Sequence, residues 1–182
     1  MSHGVRIQTE VRDAAAAVFA ACRRRELVEP IAGKHRLYSS EVEGLAVSLR
    51  DWSYPAVCKI ETGEVLYDNF GGRWGEQREL DQFMQAYAVE KARIEARKCG
   101  HTVTEQSLAR RFNQADGSDW RCRLKLIEIT VSSTGQASVQ TKDFVGGECR
   151  DASRFIEAAL SQQSVCVVLS TVSGLSEILS IP

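Results

Sequence analysis

The sequence predicts an α+β fold, an antiparallel sheet packed against two helices with a smaller β-β-α unit at the C-terminal end. Three observations carry that expectation. Short runs of alternating apolar and polar residues recur between turn signals, as half-buried strands require. A long stretch from Gln77 repeats apolar residues at three- and four-residue spacing, the mark of an amphipathic helix. Further on, two extended runs joined by Thr134-Gly135 precede another helical stretch, which makes the smaller unit.

Taken in order, Val5–Val11 alternates and reads as a strand. Asp13 is the expected N-cap of a helix running through the alanines at 14–17 to about Arg25. Arg23-Arg24-Arg25 would close it, where cations suit the helix dipole. Pro30 and Gly33 mark a loop, and Lys34–Tyr38, Leu45–Leu49 and Ala56–Ile60 are short strands. A turn-like Trp52-Ser53-Tyr54-Pro55 separates the last two, and Thr62-Gly63 turns the chain into Val65–Phe70.

The long helix spans Gln77 to Cys99, with Leu80, Phe83, Met84, Tyr87, Ala88 and Ile94 on one face. Glu76, Glu79 and Asp81 stand at its start and Arg93, Arg97 and Lys98 at its end. Gly100 supplies the left-handed residue that commonly stops a helix. Thr102–Glu105 then reads as a strand and Asp116-Gly117 as a turn. Arg121–Val131 and Ala137–Lys142 form the second hairpin, followed by a helix from about Arg150 to Leu160 and a buried strand at Val165–Leu169.

Hydrophobic residues make up 43% and charged residues 26% of the 182, the balance of a globular chain rather than a disordered one. No apolar run approaches the roughly 20 residues of a membrane span, and no secretory signal is visible at Met1–Arg6, so a cytoplasmic setting is expected. Six cysteines are spread with the closest pair 17 positions apart, and three histidines stand far from one another. Neither pattern has metal-ligand spacing, and reduced thiols are expected. No cofactor is expected either.

Charge is uneven. Residues 26–90 hold 12 acids against 6 bases, and residues 91–125 hold 9 bases against 4 acids. A basic zone can attract nucleic acid. The plainer reading is in part a helix C-terminus matched to its dipole, because aromatic residues hardly interleave with these bases.

The most informative stretch is Tyr67–Gly75, a strand end followed by a glycine-rich turn bearing Arg and Trp, which leads into the long helix. Asp68, Arg73 and Trp74 are its candidate binding residues. Glycines 71, 72 and 75 would let a ligand approach the backbone, and helix N-terminal amides attract anions. The stretch has neither a Walker signature nor Gly-x-Gly-x-x-Gly, and a tight strand-to-helix turn with Trp74 as a lid is the favoured reading. Gln85, Tyr87 and Glu90 are polar groups on or beside the apolar stripe, able to orient a ligand or simply to satisfy neighbouring backbone. Cys149 follows Gly146-Gly147 and precedes a helix and Arg150, a setting that stabilises a thiolate. Its plainer reading is a small buried residue at a corner.

Two resemblances follow from these and other motifs. Residues from about Ser2 to Leu126 resemble the domain of unknown function numbered 1257, which includes a hypothetical chloroplast reading-frame product. Met1-Ser2-His3, Tyr67-Asp68-Asn69, Trp74, Gln85-Ala86-Tyr87-Ala88, Gly100-His101-Thr102-Val103 and Asp116-Gly117-Ser118 carry it. Residues from about Ile127 to Leu160 are similar to the domain of unknown function 2997, through Ile127–Val131, Gly135, Thr141-Lys142 and Gly146–Asp151. Domains at 1–126 and 127–182 are therefore expected, as a fusion. Arg110–Gln114 is an insertion relative to the first family, and the tail Ser161–Pro182 departs from the second.

The resemblance implies a shared complex, with an AAA-type ATPase or a ferredoxin-like protein as the protein partner, and no transferable chemistry. The expected function is a non-catalytic accessory or adaptor protein. A thiol or redox component using Cys149 is the alternative, and nucleic-acid binding through 91–125 a weaker one.

Overall fold

The computed structural model of the chain describes residues 4–7, 10–13, 18–38, 40–107, 125–142, 144, 148–160, 165–166 and 177–181. In chain order the first elements are β1 (Gly4–Ile7), α1 (Phe19–Arg24), β2 (Ile31–Arg36), β3 (Glu41–Val47), β4 (Ala56–Lys59), β5 (Glu64–Leu66) and α2 (Gln77–Lys98). Then follow β6 (Thr104–Ser107), β7 (Leu126–Val131), β8 (Ala137–Lys142), α3 (Glu148–Leu160), β9 (Val165–Cys166) and β10 (Glu177–Ile181). The fold is α+β, and every strand pair among the described residues is antiparallel.

The chain divides into two compact units, one within Glu10–Lys91 and one within Met1–Thr9 and Ala92–Pro182. The domain boundary expected from the sequence is at 126/127; the compact units change at 91/92, inside α2.

The first unit holds a meander ordered β2-β3-β4-β5. Leu45 and Val47 face the same side as their partners Cys58 and Ala56, while Ala46 and its partner Val57 face the other. Both sides are buried here: Leu37, Val42, Ala46 and Val57 form one cluster, with Tyr54 and Leu66 packed against it. The end of β3 therefore reads as a continuous apolar run, which moves its apparent start from Glu41 to Leu45. Gly44 is needed for close approach, since a Cβ there would lie 2.8 Å from both the Cys58 carbonyl oxygen and a Val57 methyl.

Several expected boundaries shift. Strand β1 ends at Ile7, and Val11 is buried in irregular chain with its N–H donating to the Gly63 carbonyl at 3.0 Å. The Asp13 carboxylate takes Lys91 Nζ at 2.8 Å. The helix start it is expected to cap falls on residues 14–17, which lie outside the described set, and α1 covers Phe19–Arg24. Pro30 and Gly33 do not make a loop, because β2 starts at Ile31. Strand β5 stops at Leu66, short of Phe70. Strand β6 begins two residues later than expected, at Thr104.

Helix α2 follows the expected span to within one residue. Phe83, Tyr87, Ala88, Val89, Ala92 and Ala96 are fully buried along it. Gly100 takes φ 78°, and the His101 N–H donates to the Ala96 carbonyl at 2.9 Å, ending the helix as its sequence indicates.

The second unit is built on a six-stranded sheet ordered β6-β10-β7-β8-β1-β9. Ile127, Ile129 and Val131 of β7 and Ala137 and Val139 of β8 are buried. Helix α3 packs on β8 and β1 and buries Ile156 and Leu160. Strand β1 runs between β8 and β9, and β10 runs between β6 and β7. The C-terminal tail thus supplies an interior strand, β10. The turn expected at Asp116-Gly117 and the insertion Arg110–Gln114 lie outside the described residues. Among the described residues no helix is long and apolar enough to cross a membrane.

Candidate partner-binding surface

Between β5 and α2 the backbone folds into a tight turn. Asp68 Oδ1 accepts the Phe70 N–H at 3.2 Å, and the chain makes a single 3-10 turn over Phe70–Gly72. Phe70, Gly71 and Gly72 have φ of 44°, 62° and 90°. A Cβ at Gly71 or Gly72 would meet nothing within 4 Å, so these glycines serve the left-handed backbone and not close approach. The Asn69 carbonyl accepts N–H groups from Gly72 (2.9 Å) and Trp74 (3.1 Å). The Ser53 N–H donates to the Trp74 carbonyl at 2.8 Å, tying the turn to the β3–β4 loop.

That backbone holds a chain of aromatic rings. Trp74 stacks on Phe70 with centroids 4.7 Å apart and planes at 22°, and meets Tyr38 at 4.6 Å and Tyr54 at 5.4 Å. Tyr54 rests on the buried cluster beneath the sheet, while Tyr38 and Phe70 are 63% and 54% exposed. The rings run from core to solvent. Arg73 is exposed, its guanidinium carbon 5.4 Å from the Phe70 centroid, and it makes no ion pair among the described residues.

A second pair supports the start of α2. Trp52 meets Tyr67 at 5.8 Å, and its indole N–H donates to the Glu76 carbonyl at 3.2 Å. The ring lies flat against Gly75, where a Cβ would come within 2.4 Å of it. Gly75 is the glycine of this turn that close packing requires.

Asp68, Arg73 and Trp74 are brought together in this turn. Gln85, Tyr87 and Glu90 are not part of it; they lie on α2. Gln85 is half-buried. The buried Tyr87 hydroxyl accepts the backbone N–H groups of Arg12 and Asp13, both at 3.1 Å, and burial raises its pKa. Glu90 pairs with Arg24 at 3.3 Å. Tyr87 fastens the 10–13 segment to α2, and Glu90 fastens α1.

Helix α3 begins at Glu148, which puts Cys149 inside its first turn rather than ahead of it; the Cys149 side chain lies outside the described residues. Cys22 and Cys58 are free and buried, and burial pushes their thiols up to about 11 and about 12, with Cys22 adding to the shift at Cys58. In the basic zone, Lys91 pairs with Asp13, Arg93 with Glu105 at 3.6 Å and Lys98 with Glu95 at 2.9 Å. Its residues 108–124 lie outside the described set. Among the described residues no group of three or more His, Cys, Asp or Glu is placed to hold a metal ion.

Sequence reasoning found the turn but missed Tyr38 and Tyr54, which join Trp74 only through the folding of the sheet. No local signal links them, being 36 and 20 positions away.

Comparison with known proteins gives one family match. Residues 127–165 match the model of a family described as "Protein of unknown function (DUF2997)". No curated protein and no solved structure matches the chain. The C-terminal segment from β7 to β9 is thus similar to that family over 39 residues.

Proposed function

We propose that this protein is a non-catalytic accessory or adaptor that binds a macromolecular protein partner through the surface formed by Tyr38, Phe70, Arg73 and Trp74. One observation carries the reading: connected aromatic rings, two of them more than half exposed, beside a cation without an ion pair among the described residues. Aromatic residues and arginine are the types that dominate binding energy at protein interfaces. The stacked rings are already ordered by the turn, so little side-chain entropy is lost on docking.

The resemblance of residues 2–126 to unknown-function family 1257 supports a place in a larger cytoplasmic assembly, with an AAA-type ATPase or a ferredoxin-like protein as the partner. Affinity capture of the tagged chain from its native cell, compared with Phe70→Ala/Arg73→Ala, tests the reading. Proteins recovered by the wild type and lost by a folded double variant support it; identical recovery overturns it.

A second reading has one observation in its favour. The position of Cys149 in the first turn of the 13-residue α3 would favour its thiolate. In that case iodoacetamide at neutral pH labels Cys149 before Cys22 and Cys58, and equal or slower labelling removes the thiol role.

A further inference from the structure

The four-stranded sheet ends on β2, which has β3 on one side and no strand on the other among the described residues. Five of its six residues are exposed, which is unusual for a strand, and no strand among the described residues pairs with its outer edge. One face of β2 carries Ala32, Lys34 and Arg36; the other carries Ile31, Gly33 and His35. Lys34 and Arg36 make no ion pair among the described residues, although Glu43 and Glu41 stand opposite them on β3. Ile31 is 64% exposed on the other face, where the His35 ring folds back to the Ile31 carbonyl oxygen at 2.9 Å. The strand then passes through Leu37 directly into Tyr38 of the aromatic surface.

We infer that β2 is a docking edge that takes an extended acidic segment of a partner protein as a fifth strand. This extends the partner-binding reading along the sheet and rests on it. The choice of occupant follows from charge and alternation. A strand laid beside β2 places every second side chain next to Lys34 and Arg36, where a carboxylate is attracted and a cation repelled. The intervening side chains fall beside Ile31, where an apolar residue covers exposed methyl surface. At the Ala32 end the edge borders a groove of about 660 Å³ lined by Ala32, Gly33, Gly44 and Leu45, among others. Glu43, Lys59 and Glu61 also line it, two acids against one base, and beside Ala32 and Gly33 a small apolar residue fits. Two copies of β2 are a poor match for each other, since Lys34 and Arg36 would be brought together.

The test uses the full chain and dye-labelled eight-residue peptides of alternating glutamate and valine, read by fluorescence anisotropy. The controls are the same peptide with lysine for glutamate and a copy N-methylated at alternate backbone positions. The glutamate peptide is expected to bind, more weakly as salt rises. The lysine peptide and the N-methylated copy should not bind, because one has the wrong charge and the other lacks ladder donors. Lys34→Glu/Arg36→Glu, changes at exposed positions, should weaken binding at least about fivefold. Phe70→Ala/Arg73→Ala should leave the peptide bound, which separates this inference from the aromatic surface. Binding of all three peptides alike, binding unchanged in the charge-reversed variant, or no binding at all overturns the inference. In the last case the cations only protect the edge from unwanted pairing.

Discussion

Replacing Tyr87 by Phe isolates a single buried atom. The hydroxyl is fully buried and accepts two backbone N–H groups, from Arg12 and Asp13, each at 3.1 Å. The substitution keeps the ring and deletes the acceptor. Each orphaned amide costs about 1–3 kcal/mol. Arg12 is exposed and Asp13 half-buried, so water reaches part of that segment, and the total should be about 2 kcal/mol rather than the sum of the extremes. For a chain of this length that corresponds to a fall in melting temperature of roughly 4–8 °C. Urea unfolding followed by far-ultraviolet circular dichroism measures the free energy, and hydrogen exchange at residues 10–13 shows where the loss occurs. A change below about 0.5 kcal/mol with unchanged protection would refute the role given to this hydroxyl.

Other expectations follow from the same packing. Gly75→Ala should cost about 1–3 kcal/mol and alter the near-ultraviolet dichroism of Trp52, since the added methyl meets the ring; a silent substitution would contradict the contact. Stability should fall as pH rises from about 9 to 11, because the raised pKa values of Cys22 and Cys58 keep protons on the folded chain that the unfolded chain releases. The two thiols contribute a slope of up to about 2.7 kcal/mol per pH unit. The Cys22→Ala/Cys58→Ala double variant should flatten it, and an unchanged slope would rule the thiols out. A fragment ending at Leu126 removes both neighbours of β1 and the neighbour of β6. Its amides at Gly4–Ile7 and Thr104–Ser107 should exchange without protection, and slow exchange there would show that the fragment folds without the rest.

Helix α2 was legible because its periodicity, its first-turn acid and its stopping glycine all agree. The β7–β8 hairpin was legible because Thr134-Gly135 stands between two extended runs and Gly135 takes φ 81°. Strand β2 was misplaced for a physical reason: with no buried face it has no alternation to read, and Pro30 and Gly33 look like loop punctuation. The seats of β1 and β10 in one sheet are set by pairing across more than a hundred positions for β1 and about fifty to seventy for β10, beyond any local pattern. The same limit applies to the binding surface. Arg73 and Trp74 stand out in a nine-residue stretch, whereas Tyr38 and Tyr54 reach them only once the sheet has formed.

The most direct test of the partner-binding account is the affinity of a captured and purified partner for the full chain and for Phe70→Ala, measured by calorimetry. Phe70 is half exposed, so its removal should leave the melting temperature nearly unchanged. If Phe70 is an anchor of the interface, the dissociation constant should rise about thirtyfold, the scale of a 2 kcal/mol hot spot. An unchanged dissociation constant in a folded Phe70→Ala chain would contradict the account.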